Sequence, residues 1–323
     1  MVITREHLSS HLAAFKPREQ TYRPVISLTI TEAVIPAAGL GTRLLPATKQ
    51  QPKEMLPLFA PSGNGKPVLK PLLQLVFEQL YDVGIRDFCF IVGRGKRVIE
   101  DHFIPDQGYL ADLENQGKDS LATELASFYE RLDDANLTWI NQPRPLGFGD
   151  AVRRAAKAVG GEDFLVHAGD TYILSVANVH LKSVMSIFAQ RNPECLFVVK
   201  SMSDVRERGI IEGEEIASGT FAVTKLAEKP RIPFSNLAIE PLYLFRQSIF
   251  DALQKTRPDE RGEIQLTDAI QMLVNSGKEV LAWRLDEGIR RLDIGSPDSY
   301  WEALSLSHDY AVQAARNNPR CSS

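Results

Sequence analysis

The sequence predicts an α/β protein whose sheet is doubly wound and mostly parallel, with a small antiparallel α+β portion late in the chain. Short apolar runs of strand length alternate with segments that carry apolar residues at helical spacing, as in repeated strand–helix units. The first apolar run, 33–35, leads into a loop that contains Gly39 and Gly41. With 323 residues, 44% of them hydrophobic, the chain has ample material for a buried core.

The alternation of strands and helices extends over most of the chain. Residues 70–83 are expected to form a helix that Gly84 ends. The continuous apolar run 87–92 is typical of a strand that is covered on both faces. Further helices are expected at 119–134, 149–158 and 178–191, and further strands at 137–140, 163–168 and 195–200. The later pattern indicates antiparallel strands at 209–212, 220–227 and 237–245, a helix at 265–276, a strand at 279–285 and a last helix at 297–315.

No linker in the sequence is long enough to separate independent domains, so we expect a single domain over residues 32–315. Within it, one half covers about 32–175 and the other about 176–300. Residues 1–31 are weakly patterned and form an N-terminal extension, with a short helix near residues 5–15, and residues 316–323 form a tail.

Composition excludes several classes of protein. The 37 basic and 41 acidic residues give a net charge of −4, so no basic excess points to a nucleic-acid partner. No apolar run reaches the ~20 residues that span a membrane, and the N-terminus lacks a signal-peptide pattern. Cys89 and Cys195 lie in apolar runs and no Cys-x-x-Cys pair occurs, which indicates reduced thiols. We therefore expect a cytoplasmic protein.

The loop Ala37-Ala38-Gly39-Leu40-Gly41-Thr42-Arg43 directly follows the first strand. Glycines allow backbone N–H groups to turn toward an anion, and the carboxyl end of a strand is where open α/β sheets bind ligands. A dinucleotide-binding fingerprint would need a small residue at Leu44, and a Walker loop would need Gly-Lys-Ser/Thr. Arg43, Lys49 and Lys53 instead favour binding of a polyphosphate.

Residues 37–58, AAGLGTRLLPATKQQPKEMLPL, resemble the signature of sugar-nucleotide pyrophosphorylases, and most closely the bacterial and archaeal UTP–glucose-1-phosphate uridylyltransferases. The similarity extends from about residue 32 to about residue 305. The resemblance implies a Rossmann-like nucleotidyltransferase sheet, with nucleotide and sugar phosphate bound by its first and second halves. It also implies that Arg43 and Lys53 hold the triphosphate during catalysis. The loop residues that would lie against the nucleotide are Ala38, Gly39, Gly41 and Thr42.

The resemblance assigns further binding residues. Gln142 and Gly147, in the run 142–151, would contact uracil, and a glutamine amide can match the donor and acceptor groups of that base. The alternative is a Pro-rich turn before a helix. The sugar phosphate would be bound by Gly209, Glu228 and Lys229, the last of which we count as catalytic. Residues 263–268 also match the family, and we interpret them mainly as the start of a helix.

Asp170 and Asp293 are the candidate ligands of Mg²⁺, a cation that prefers hard oxygen donors. Asp170 follows a strand in Gly169-Asp170-Thr171. The family usually has a pair of carboxylates in this loop, or Asp followed by another polar residue, and this chain lacks the second acid. The alternative for Asp293 is a turn or N-cap role ahead of the last helix. A second departure is Glu240-Pro241, which replaces the apolar residue and glycine that are common in the family.

The implied reaction transfers a uridylyl group from UTP to glucose 1-phosphate, giving UDP-glucose and pyrophosphate. A phosphate monoester loses its second proton at about pH 6, so the nucleophile is an anion at neutral pH and needs no general base. Alternatives are another nucleotide or sugar 1-phosphate, such as dTTP or galactose 1-phosphate, or a catalytically silent nucleotide-sugar sensor. A nicotinamide-linked oxidoreductase is disfavoured by Leu44. Small molecules are the expected partners, and we expect a homo-oligomer.

Overall fold

A nine-stranded mixed sheet lies at the centre of the protein, in a computed structural model that describes residues 30–63, 65–161 and 163–316. The helix expected near residues 5–15 and nearly all of the N-terminal extension and tail lie outside these residues, so the division of the chain into extension, domain and tail stays a prediction. The strands are β1 (Glu32–Ala37), β2 (Pro57–Pro61), β3 (Pro67–Pro71), β4 (Asp87–Gly93), β5 (Asn136–Gln142), β6 (Phe164–His167), β7 (Thr171–Leu174), β8 (Cys195–Ser201), β9 (Gly209–Ala217), β10 (Thr220–Glu228), β11 (Leu237–Phe245), β12 (Val280–Arg284) and β13 (Arg290–Asp293).

The helices alternate with these strands through the first half and cover the sheet in the second. They are Leu72–Tyr81, Arg97–His102, Gln107–Asn115, Asp119–Asp133, Phe148–Arg154, Val179–Arg191, Ser248–Lys255, Leu266–Asn275 and Pro297–Arg316. Short 3-10 turns occupy Thr42–Leu44, Ala47–Lys49, Lys53–Met55, Ala155–Lys157 and Val176–Asn178. None of the helices in the described ranges is long and apolar enough to cross a bilayer.

The order of the strands across the main sheet is β5-β4-β1-β6-β11-β8-β12-β10-β9. Strands β5, β4, β1 and β6 run parallel to one another, as do β8 and β12. The remaining pairs are antiparallel, and β9 to β11 contribute most of them. The larger parallel portion therefore belongs to the first half of the chain, and the second half contributes the antiparallel strands together with the parallel pair of β8 and β12.

Two apolar layers cover the two faces of the sheet. On one face, helices Leu72–Tyr81, Asp119–Asp133 and Val179–Arg191 pack on an aromatic cluster in which the Phe77 and Phe88 ring centroids are 4.6 Å apart. On the other face, the layer comes from the helices that begin at residues 148, 248 and 266. Helices on both faces confirm the doubly wound α/β class.

Strands β2, β3, β7 and β13 and helix Ser248–Lys255 were not predicted, and two further differences have a reason in the sequence. The helix expected from residue 70 begins at Leu72, because Lys70 precedes Pro71, and a residue before proline avoids the helical conformation. Residues 67–71 instead pair with β2 as a hairpin. Helix Gln107–Asn115 was not predicted, since Leu113 is the one residue that it buries and so no apolar periodicity marks it.

The carboxyl ends of β1, β4, β5 and β6 meet at one edge of the sheet, since parallel strands all end on the same side. There a buried ion pair joins separate segments of the chain. The Lys96 ammonium, which follows β4, lies 2.8 Å from both oxygens of Glu54 and donates to the Ala37 carbonyl at 2.6 Å. Lys96 is 8% exposed and Glu54 is 1% exposed. The pair thereby fixes the end of β1, where the glycine loop begins.

We expect Lys96→Met to lower the free energy of unfolding by about 3–5 kcal/mol, because it leaves the Glu54 carboxylate buried without its partner. Urea denaturation measures the change. The matched control is Arg97→Met, which removes a pair with Asp101 whose side chains are 86% and 60% exposed, and it should cost less than about 1 kcal/mol. The double variant Lys96→Met/Glu54→Leu should recover much of the loss. Equal, small effects of Lys96→Met and Arg97→Met on the free energy of unfolding would show that the buried Lys96–Glu54 pair does not hold the fold in this way.

Stability should also fall in mild acid because of buried histidines. Burial lowers the pKa of His180 to about 3 and that of His167 to about 4. The unfolded chain binds these protons more tightly, so stability is lost as the pH falls from about 6.5 toward 4, by ~3 kcal/mol for His180 alone. Denaturation between pH 7 and pH 4 should show a shallower loss for His180→Gln than for the unmodified protein. The exposed His308→Gln is the control, and identical slopes for both variants would refute the role of His180.

Candidate active site

A cavity of about 400 Å³ opens at the edge where the parallel strands end. Its lining combines residues from distant parts of the chain: Ala38, Gly39, Gly41 and Thr42 from the glycine loop, Gln142 and Gly147 after β5, Asp170 after β6, and Glu54 and Glu263. All six residues that the sequence assigns to the nucleotide therefore surround one space, together with the Asp170 metal candidate. The position at the carboxyl ends of parallel strands is typical of ligand sites in open α/β sheets.

The glycine loop turns tightly over Lys53 and Thr48. Gly41 has φ +65°, in the left-handed region, and its carbonyl accepts a 2.8 Å hydrogen bond from the Thr48 hydroxyl. A Cβ on Gly39 would lie 3.5 Å from Lys53 Cε, so the Lys53 side chain runs along the loop. The loop thus brings backbone and a cation to the same wall of the cavity.

Lys53 and Asp170 form an ion pair across the site. Burial alone would lower the pKa of Lys53, but the neighbouring carboxylates, Asp170 foremost, raise it above its ordinary value. Burial would likewise raise the pKa of Asp170, yet Lys53 holds it below its ordinary value. Both groups are therefore charged at neutral pH.

Asp293 lies beside Asp170, because the ribbon of β7 and β13 pairs Asp293 with Thr171. The Asp293 carboxylate accepts a 3.2 Å hydrogen bond from Arg291. A Cβ on Gly295 would lie 2.9 Å from Asp293 Oδ2 and 3.3 Å from the Arg43 guanidinium, which places Arg43 in the same group. The structure thus brings together the cations and carboxylates that the sequence assigns to phosphate and metal.

The donor set at this place suits magnesium. Two carboxylates supply hard oxygen ligands, and Mg²⁺ in phosphate-binding enzymes commonly takes one or two carboxylates and completes its shell with water and substrate phosphates. Within residues 30–63, 65–161 and 163–316, no three histidine, cysteine, aspartate or glutamate residues form a cluster that could hold a metal on their own. The Asp170 and Asp293 carboxylates are of the donor type that such a substrate-completed site uses.

Gln142 ends β5 and is 4% exposed. Its amide nitrogen donates to Asp150 at 2.8 Å and to the Gly147 carbonyl at 3.2 Å. Gly147 has φ +97°, and a Cβ there would lie 2.7 Å from the Ile264 carbonyl oxygen, so glycine is required for both reasons. This loop holds an amide side chain at the cavity.

The segment after Glu263 supports this loop, in agreement with its interpretation as a helix start. Ile264 donates to the Leu146 carbonyl at 2.8 Å and accepts from the Gly149 N–H at 2.9 Å. Thr267 and Asp268 lie in the first turn of helix Leu266–Asn275. The same turn reaches the other half of the protein, because the Thr267 hydroxyl donates to Glu228 at 3.4 Å.

The predicted sugar-phosphate residues meet where β9 and β10 pair. Gly209 opposes Glu228, and a Cβ on Gly209 would lie 2.8 Å from the Glu228 carboxylate. Lys229 has φ +43°, and its N–H donates to the Arg208 carbonyl at 3.1 Å. Burial raises the pKa of Glu228, although Lys229 opposes this shift.

Several polar residues at the site carry no prediction from the sequence. Glu240, noted as a departure from the family pattern, is fully buried, and its carboxylate lies 2.8 Å from Arg291. Burial raises the pKa of Glu240, and Arg291 opposes the shift. Asp150 and the Lys96–Glu54 pair are also unpredicted. A charged residue inside an apolar strand is the signal that would have found Glu240, whereas Asp150 and Lys96 carry no such local signal.

Comparisons with known proteins agree with this geometry. Residues 32–309 match the family model described as nucleotidyl transferase. The chain is 37% identical over 290 residues to UTP–glucose-1-phosphate uridylyltransferase 1 of Staphylococcus saprophyticus, covering 88% of this chain and 95% of the relative.

Two solved structures are also similar. A UDP-glucose pyrophosphorylase complexed with UDP-glucose has a TM-score of 0.72 and 28% identity, over 87% of this chain and 99% of that one. The UTP-bound enzyme of Acinetobacter baumannii has a TM-score of 0.75 and 29% identity, over 89% of this chain and 97% of that one. The family match covers most of the chain and includes every residue of the cavity. The protein therefore belongs to the nucleotidyl transferase family and is a nucleotidyltransferase.

Proposed function

We propose that this protein transfers a uridylyl group from UTP to glucose 1-phosphate and releases pyrophosphate, forming UDP-glucose. One observation supports this most strongly: the glycine loop, the Gln142 amide and the Asp170 carboxylate line the same cavity at the edge of the sheet. The names of the relatives and of the similar structures point to the same reaction.

The proposed chemistry needs alignment and charge neutralisation more than proton transfer. A phosphate oxygen of glucose 1-phosphate attacks the α-phosphorus of UTP, and the bond from that phosphorus to the pyrophosphate oxygen breaks in line. The attacking oxygen is already anionic at neutral pH. Arg43 and Lys53 hold the triphosphate, and the backbone of Gly39 and Gly41 lies close against it. Fixed cations of this kind stabilise charge that develops in the transition state.

Asp170 and Asp293 would hold Mg²⁺, which when bound would neutralise phosphate charge and orient the phosphate groups. Both carboxylates pair with cations of the chain, Lys53 and Arg291 respectively. The ion pairs hold the two carboxylates in place. Asp170 is thus shared between a metal and Lys53 in this proposal.

Glucose 1-phosphate, which accepts the uridylyl group, would bind where β9 and β10 meet. Glu228 can accept hydrogen bonds from two sugar hydroxyls, and Lys229 can neutralise the phosphate. Gly209 lets the Glu228 carboxylate lie close against β9, because a Cβ at that position would lie 2.8 Å from Glu228 Oε2. A cytoplasmic location and a homo-oligomeric state stay predictions from the sequence.

The first test is pyrophosphate release by the purified protein with Mg²⁺. UTP, dTTP, CTP, ATP and GTP are each paired with the 1-phosphates of glucose, galactose, mannose and N-acetylglucosamine. We expect UTP with glucose 1-phosphate to dominate. Strong turnover of another pair would keep the mechanism and change the substrate. The absence of turnover with every pair would favour a catalytically silent sensor.

Substitutions should separate the roles of Asp170 and Lys229. Asp170→Asn removes a charged ligand, so Mg²⁺-dependent turnover should fall by about a hundredfold or more. Lys229→Ala should act mainly through glucose 1-phosphate, raising its KM about tenfold while the KM for UTP changes little. Steady-state kinetics with each substrate varied in turn measures both effects. Equal and mild effects of the two substitutions would reject the site assignment.

A further inference from the structure

The Gln142 amide is held in one orientation. Its nitrogen carries two hydrogens, and the two hydrogen bonds to Asp150 and to the Gly147 carbonyl use both of them. In the described part of the chain, no hydrogen bond is donated to Gln142 Oε1. The side chain lines the cavity, so the group left for a ligand is a hydrogen-bond acceptor.

Asp150 fixes this orientation. Its side chain is fully buried and receives hydrogen bonds from Arg153 at 2.6 Å and from Arg154 at 2.8 Å, in addition to the one from Gln142. Burial would raise the pKa of Asp150, but these three donors hold it below its ordinary value. An ionised carboxylate accepts hydrogen bonds and cannot donate them. Gln142 must therefore direct its NH₂ group toward Asp150.

We propose that Asp150 is a positioning residue that sets base specificity, by making Gln142 present its oxygen to the base. At N3, uracil carries an N–H donor, which matches this oxygen, whereas cytosine carries a lone pair, which repels it. A mismatched polar contact in a closed site discriminates strongly, since the groups are left unpaired. This inference rests on the proposed function, in which Gln142 contacts the base.

The test compares kcat/KM for UTP with that for CTP. Asp150→Asn has nearly the same size but can donate to Gln142, so only the longer, 3.2 Å contact with the Gly147 carbonyl still opposes inversion of the amide. We expect the UTP:CTP ratio to fall by at least about tenfold, while the KM for glucose 1-phosphate changes little. Asp150→Glu keeps an acceptor-only carboxylate and should retain most of the preference. The matched control is Arg153→Gln, which leaves Asp150 paired with Arg154 and should leave the ratio unchanged.

Two outcomes would overturn the inference. If Asp150→Asn lowers turnover of UTP and CTP by the same factor, Asp150 is merely structural. If Asp150→Glu loses the preference as fully as Asp150→Asn, the orientation argument is wrong. Should Asp150→Asn fail to fold, Asp150→Ser carries the same expectation for the ratio. Absence of UTP turnover in the unmodified protein would instead reject the proposed function, so the two failures are distinguishable.

Discussion

The buried contact between Lys96 and Glu54 is the constraint on which the site depends. The glycine loop can present its backbone to a polyphosphate only if the end of β1 stays in place, and the Lys96 ammonium holds the Ala37 carbonyl there. Glu54 follows Lys53 directly, so the same contact fixes the cation that lies along the loop. Burial lowers the pKa of Lys96 and raises that of Glu54, and each residue opposes the shift of the other.

Three further carboxylates near the cavity follow the same design, in which each is paired with a cation of the chain. Asp170 pairs with Lys53, Asp293 with Arg291, and Asp150 with Arg153 and Arg154. Buried pairs contribute little net stability, because desolvation offsets their attraction. Their effect here is geometric, since each fixes the direction in which one side chain faces the cavity. Such preorganisation is what charge-stabilised phosphoryl chemistry requires.

The alternating strands and helices could be predicted because their apolar periodicity is strong, and the glycine loop because its motif is local. The Gln107–Asn115 helix could not be, since it lies on the surface and buries little. Within the site, Asp170 and Gln142 could be proposed from the family resemblance together with their place after strands. Asp150 and Lys96 could not, because their roles depend on partners that the fold brings close and that no local pattern in the chain announces.

The short connection between Ile264 and Thr267 has a consequence for how such an enzyme can change. Ile264 is bonded to the loop that carries Gly147 and Gly149, and Thr267 is bonded to Glu228 on the acceptor side. One turn of backbone therefore serves as a common brace for the two proposed binding sites. A change in this turn that reshapes the proposed sugar site will also disturb the proposed base site.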